Sequence, residues 1–193
     1  MSLAYNALID LAYYKAIIQV ADDAVSYPDE VMESMINQAS QIIETECRRK
    51  FITPATAINE IFNGNGNKDY YVRNGRIVET PTIKYWSGTD FVATTSTFDY
   101  NVDNGRVYFT DGSIFSLGRD NWQITYKYGW TLSTLPVNIK LACAGLVSHI
   151  NLMMRKMNVV SESFGDVSVS YDWSGKNSMI QQIINEYKMA IYG

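Results

Sequence analysis

The stretch Trp122-Gln123-Ile124-Thr125-Tyr126-Lys127-Tyr128-Gly129-Trp130-Thr131-Leu132-Ser133-Thr134-Leu135-Pro136-Val137-Asn138-Ile139-Lys140-Leu141-Ala142-Cys143 carries two periodicities back to back. Its first part sets Trp122, Ile124 and Tyr126 at alternate positions, the spacing that sends side chains to one face of a strand. After Gly129 the chain offers Ser133 or Thr134 as a helix cap and Pro136 for the first turn. Apolar residues then run through Ile139, Leu141, Ala142, Cys143, Leu146, Val147, Ile150, Met153, Met154 and Met157. One sheet ends here and one helix begins, so the chain mixes both kinds of element in separate blocks.

Upstream of this junction the period is 2. Runs such as Ala57–Phe62, Asp69–Val72, Ile83–Trp86, Arg106–Phe109 and Trp122–Tyr126 alternate. They are punctuated by Asn63-Gly64, Asn65-Gly66, Asn74-Gly75, Ser87-Gly88, Asn104-Gly105 and Asp111-Gly112, dipeptides suited to tight hairpins. The pattern predicts six to seven antiparallel strands in a small sandwich or barrel-like sheet over 55–130. Downstream, the helix over 136–157 is apolar on nearly its whole circumference, which predicts burial between other elements or between subunits. A polar, Gly-containing segment at 158–175 reads as flexible. A last helix at about 177–191 buries Met179, Ile180, Ile183, Ile184 and Tyr187.

Further upstream, residues 3–20 read as a helix through Leu8, Leu11, Ala12 and Ile18. A second has Ser26 as cap, Pro28 in its first turn and the stripe Val31, Met32, Met35, Ile36, Ala39, Ile42, Ile43, Cys47. Arg48, Arg49 and Lys50 are expected to close it where cations are favoured. The fold class is therefore α+β: a bundle of about four helices with an inserted antiparallel β domain of six to seven strands. Its divisions are 1–54 (N-terminal helices), 55–130 (β domain) and 131–193 (C-terminal helices).

Composition narrows the functions. Charged residues are only 19% of the 193, while aromatics reach 13% with 14 tyrosines, and there are eight methionines. Tyr and Met are favoured at protein–protein contacts where Lys and Glu are disfavoured, so the surface suits partners. The net charge of −4 argues against a general nucleic-acid binder. Acidity is concentrated: residues 1–46 hold eight acids and one base, and the rest is mildly basic. No run of about 18 uninterrupted apolar residues indicates a membrane span. The N-terminus lacks a basic region before an apolar run, so cytoplasmic synthesis is expected. Cys47 and Cys143 are too few for a disulfide or zinc framework and read as small buried apolar residues.

Candidate chemistry is sparse. The sole histidine, His149, sits in mid-helix and reads as a core or interface residue. Asn63-Gly64-Asn65-Gly66-Asn67-Lys68 lacks the spacing and following helix of a phosphate loop and reads as a hairpin. Asp22-Asp23, Asp29-Glu30 and Glu44/Glu46 read as capping or solvated acids. In Tyr70-Tyr71 and Tyr85-Trp86, alternation should turn one ring of each pair inward, halving any exposed aromatic platform for a sugar. No catalytic, metal or cofactor site is predicted. Arg48, Arg49 and Lys50 are candidates for an intersubunit contact with the acidic arm, because arginine pairs bidentately with carboxylates.

Three segments together carry a resemblance: residues 29–44 ending in Arg48-Arg49-Lys50-Phe51; Ile124–Trp130 with Leu135–Cys143; and Glu162-Ser163-Phe164-Gly165-Asp166-Val167-Ser168-Val169-Ser170-Tyr171. In order and spacing they resemble the head-tail connector, or adaptor, proteins of long-tailed bacteriophages and prophages. The resemblance implies a structural virion protein and not an enzyme. It implies copies joined in a ring, typically twelve, beneath the portal protein, with a downstream head-completion or tail protein on the other side. DNA would pass the channel without specific binding, and no membrane would be involved. Localisation would be the head-tail junction of the virion, after assembly in the host cytoplasm. Phe164, Asp166, Tyr171 and Trp173 join the basic cluster as candidate assembly residues, with 158–175 expected to order on docking. An alternative of another class is a β-rich carbohydrate- or peptide-binding module that uses aromatics of the β domain.

Overall fold

The computed structural model describes residues 2–18, 27–156, 162–164, 167–169 and 178–188. It divides into a helical unit, Met1–Cys47 with Leu135–Lys188, and a β-rich unit that includes Arg48–Thr134. The architecture is α+β, as the alternating periods predict.

In the helical unit, α1 (Leu11–Ile18), α2 (Asp29–Cys47), α3 (Val137–Lys156) and α4 (Ser178–Tyr187) pack around a core. α2 touches each of the other three. Pro28 stands just before α2, and its carbonyl accepts from the Val31 and Met32 N–H groups. This is the first-turn role in which a missing N–H costs nothing. Met32, Met35, Ile36, Ala39, Ile43 and Cys47 are buried as the stripe requires, whereas Ile42 lies at its exposed edge. Both cysteines are buried.

The first helix is shorter than expected. Residues 4–9 run along α2, held by its polar side chains: Ala4 N–H donates to Asn37 Oδ1 at 2.8 Å and Leu8 N–H to Ser40 Oγ at 3.0 Å. Asn6 Nδ2 donates to Glu44 Oε2 at 2.8 Å. Asn37, Ser40 and Glu44 share one helix face by their spacing. Those side chains give residues 4–9 an alternative to helical bonding. Asp10 then caps α1, its Oδ1 accepting from Tyr13 N–H at 2.6 Å. The same arrangement corrects the reading of Glu44 as a solvated acid, since it is buried.

α3 begins after Pro136 as predicted, but among the described residues one side of it is exposed. Ile139, Ala142, Cys143 and Val147 are buried, while Val137, Leu141, Leu152 and Met154 are exposed. By length and composition Val137–Met154 could also cross a membrane. In this fold its buried face packs on α2 and α4. Between α3 and α4, β8 (Glu162–Phe164) pairs antiparallel with β9 (Val167–Val169). The rest of the 158–175 segment lies outside the described residues.

The β-rich unit has seven antiparallel strands: β1 (Ile58–Gly64), β2 (Asp69–Tyr71), β3 (Thr82–Trp86), β4 (Phe91–Ala93), β5 (Phe98–Tyr100), β6 (Arg106–Phe109) and β7 (Gly118–Tyr126). They form one sheet ordered β1-β7-β3-β4 and another ordered β2-β6-β5. Phe62, Ile83, Trp122, Ile124 and Tyr126 from the first meet Val107 and Phe109 from the second, with Phe115 among them. This is a small sandwich.

Only two of the six turn dipeptides close hairpins: Ser87-Gly88 joins β3 to β4, and Asn104-Gly105 joins β5 to β6. Asn63–Lys68 is not a hairpin, because β1 pairs with β7 and β2 with β6; it carries the chain between sheets. Gly64 itself lies in β1, where an added Cβ would fall 1.7 Å from the Ser116 carbonyl oxygen. Backbone proximity, not a left-handed turn, requires glycine there.

Candidate assembly surface

α2 ends at Cys47 with no cation in its last turn. Arg48 takes a left-handed conformation (φ 55°), which sends the chain out of the helix before the cluster can serve the helix terminus. The expectation that Arg48, Arg49 and Lys50 close α2 is thereby corrected. Instead they begin the β-rich unit. Lys50 N–H donates to Asn74 Oδ1 at 3.1 Å. Phe51 C=O accepts from Trp130 N–H at 2.7 Å, and Trp130 C=O accepts from Thr53 N–H at 3.0 Å.

That pairing builds a cation–aromatic stack. The Phe51 and Trp130 rings lie 5.9 Å apart at 26°. The Arg49 guanidinium sits 5.4 Å from the Phe51 centroid and 5.1 Å from that of Trp130. Arg76 reaches the Trp130 ring at 5.3 Å. A cation over a desolvated aromatic face contributes on the order of 2 kcal/mol. Arg49 is buried at 9% exposure and so holds the corner together, while Arg48, Lys50 and Arg73 present their side chains to solvent. Arg73 and Arg76, at the turn beside Asn74-Gly75, are additions that sequence spacing alone did not bring to this corner. The signal available was the adjacency of two arginines to an Asn-Gly turn.

Beneath the corner lies a buried carboxylate. Glu60, 7% exposed, points inward from β1 between Ile58 and Phe62. It accepts from Tyr70 OH and Tyr126 OH at 2.6 Å each, and from Arg73 N–H at 3.1 and 3.2 Å. Burial, and then the Glu60 charge and hydrogen bond, push both tyrosines far above their usual range. In the helical unit, burial pushes the Cys143 thiol up to about 12, partly offset by Ser40.

These shifts fix a sign for alkaline stability. The folded values are raised, so the native state keeps protons that the unfolded chain releases. Stability is full below the unfolded values, near 8.5 for cysteine and 10 for tyrosine, and falls as pH rises through and beyond them. Denaturant midpoints measured between pH 8 and 11 should fall slowly at first and more steeply above about pH 10. Tyr126→Phe should flatten the steep limb, and an unchanged limb in that variant would contradict the assignment.

Of the other candidates, Phe164 closes β8, while Asp166, Tyr171 and Trp173 lie outside the described residues. His149 is half-buried on α3. Asp29 pairs with Lys15 at 2.6 Å, and Asp22-Asp23 lies outside the described residues. Tyr85 and Trp86 are both exposed, at 40% and 45%, contrary to the expectation that one ring turns in. Tyr85 shares the inward side of β3 with Ile83, but a cleft opens at that end of the sheet. Among the described residues no group of three or more His, Cys, Asp or Glu side chains is arranged to hold a metal ion.

The sequence also matches a known family along nearly its whole length. Residues 7–190 fit the family model described as "Head completion protein". The chain belongs to the head completion protein family. Membership bears out the resemblance to phage head-tail connectors drawn from segments 29–51, 124–143 and 162–171.

Solved structures similar to this chain include subunits described as "Virion of native gene transfer agent (GTA) particle" (TM-score 0.65, 12% identity) and "Neck of empty GTA particle computed with C6 symmetry" (0.64, 10%). A third is "Neck of native GTA particle computed with C12 symmetry" (0.60, 11%). Each alignment covers 100% of this chain and 96% of the other. At such identities the likeness is one of fold. No curated protein matches the sequence.

Proposed function

We propose that this chain is a structural subunit of the junction between a phage-like head and its tail. Copies assemble as a ring, of twelve in the virion, beneath the portal protein and above a downstream head-completion or tail protein. DNA passes through without specific binding. The family match over residues 7–190 carries this reading. The fold shared with neck subunits of gene transfer agent particles, one computed with twelvefold symmetry, supports it.

The surface supplies the means. On α3 the exposed Val137, Leu141 and Leu152 recur at helical spacing along one stripe, suited to burial against a neighbour. The corner of Arg48, Lys50, Arg73 and Arg76, stiffened by Arg49, is complementary to an acidic arm with eight acids and one base in residues 1–46. A patch on one copy meeting a different patch on the next is the heterologous contact that closes a ring, and charge complementarity sets its register. Phe164, Asp166, Tyr171 and Trp173 are assigned to contacts with the portal or a neighbour. The role calls for no catalysis, and assembly takes place in the host cytoplasm before the protein resides in the virion.

In-vitro joining tests the role. Filled heads made without this chain should acquire tails only after purified protein is added. Joining at the same frequency without it would overturn the proposal.

A further inference from the structure

We propose that the cleft at the open end of β3 binds a neutral carbohydrate, a function separate from ring assembly. The cleft has a volume of about 430 Å³, within the roughly 300–1,000 Å³ typical of small-ligand sites. Its walls come from the end of β3, the Thr94–Ser96 segment after β4, the 113–116 loop and the middle of β7. Three aromatics, five serines and threonines, Asn121 and Ile114 make up the lining, and none is charged.

That composition selects the ligand. The negative faces of the exposed Tyr85 and Trp86 attract the weakly positive C–H face of a pyranose ring, while Trp122 is buried behind them as part of the wall. Hydroxyls of Ser and Thr both donate and accept, as sugar hydroxyls do, so the two surfaces satisfy each other without a charge. A charged glycan or an acidic or basic peptide would lose hydration with no counter-ion in the wall. An apolar peptide side chain would find only Ile114 as aliphatic wall.

The walls are fixed in advance. Asn121 Oδ1 accepts from Gly64 N–H at 2.8 Å while its Nδ2 donates to Ser116 C=O at 2.9 Å. Trp122 Nε1–H donates to the same carbonyl at 3.3 Å. The hydroxyls of Ser96 and Ser113 lie 3.0 Å apart, and Trp86 packs edge-to-face on Phe91 at 5.2 Å. Binding therefore orders little that is not already ordered.

Saturation-transfer NMR on the full-length chain tests the cleft. Probes are maltohexaose, cellohexaose and chitohexaose at up to about 10 mM, a range that detects weak sites, alongside a neutral Ser/Thr-rich decapeptide. At least one oligosaccharide should receive saturation through its ring C–H protons. Its affinity should fall at least about tenfold in Trp86→Ala, the loss of one stacking face. Trp86 is half exposed, and an unchanged unfolding midpoint will verify that the variant folds. Thr95→Val, which replaces the hydroxyl with a methyl group of similar size, should weaken the same probe. Transfer to none of the sugars, equal binding by Trp86→Ala, or preference for the decapeptide would each overturn the proposal. None of these outcomes bears on tail joining.

Discussion

Glu60→Ala is expected to destabilise the β-rich unit by about 3–5 kcal/mol, because several donors lose their common acceptor at once. The substitution deletes the common acceptor of Tyr70 OH, Tyr126 OH and Arg73 N–H. A buried donor left without an acceptor costs about 1–3 kcal/mol, and Ala leaves room for neither a replacement nor full collapse. Two strands of one sheet are affected through Glu60 and Tyr126, and the other sheet through Tyr70. Glu60→Gln keeps the shape and one carbonyl acceptor, so its loss should be much smaller. Denaturant unfolding followed by fluorescence of Trp122 and Trp130 measures both. A loss under about 1 kcal/mol for Glu60→Ala would mean that water or a rearranged side chain satisfies the tyrosines.

Gly129→Ala should do comparable damage for a different reason. Gly129 has φ 91°, and an added Cβ would lie 2.2 Å from the Phe51 carbonyl oxygen and 2.9 Å from its carbon. The obstacle is backbone, which cannot swing away like a side-chain tip. The same Phe51 carbonyl accepts from Trp130 N–H, so relief must part the 51–53 segment from Trp130 and spoil the platform under Arg49. Conformational strain of about 1–3 kcal/mol adds to a clash of similar size, for a total of about 3–5 kcal/mol. Gly88 separates the two contributions. Its φ is 105°, yet a methyl added there would meet nothing within 4 Å, so Gly88→Ala should show only the strain. Equal losses at both positions would refute crowding as the cause.

The sequence made some of this visible and hid the rest for identifiable reasons. Strand β7 was legible because Trp122, Ile124 and Tyr126 alternate with polar residues, and α2 and α3 because Pro28 and Pro136 mark their starts. The start of α1 was hidden, since residues 4–9 have helical composition but give N–H groups to Asn37 and Ser40 across a long sequence separation. Glu44 was hidden for the same reason, its partner Asn6 lying 38 positions away. Asn-Gly dipeptides announce a turn but not which strands it joins, so Asn63–Lys68 could be a hairpin or a crossing between sheets. Glu60 was not singled out in the sequence, because an acid on the same side of a strand as Ile58 and Phe62 reveals its role only once Tyr70, Tyr126 and the Arg73 N–H converge on it.

The candidate surface was legible as far as single segments allow. Arg48, Arg49 and Lys50 stood out as a basic run, but their division of labour depends on Phe51 and Trp130, about 80 positions apart in the chain. Only the fold brings Arg73 and Arg76 to them. Residue type likewise suggested exposed aromatics in the β domain; the uncharged, hydroxyl-rich lining around Tyr85, Trp86 and Trp122 comes from four separate stretches.

Electron microscopy of the purified chain mixed with its own portal protein tests the central claim most directly. The expected result is a closed ring of this chain seated on one end of the portal, coaxial with the channel, with α3 and the Arg48–Lys50 corner in contacts between adjacent copies. Portal rings that remain bare at saturating concentrations of the folded protein, or decorated only at scattered positions off the axis, would contradict it.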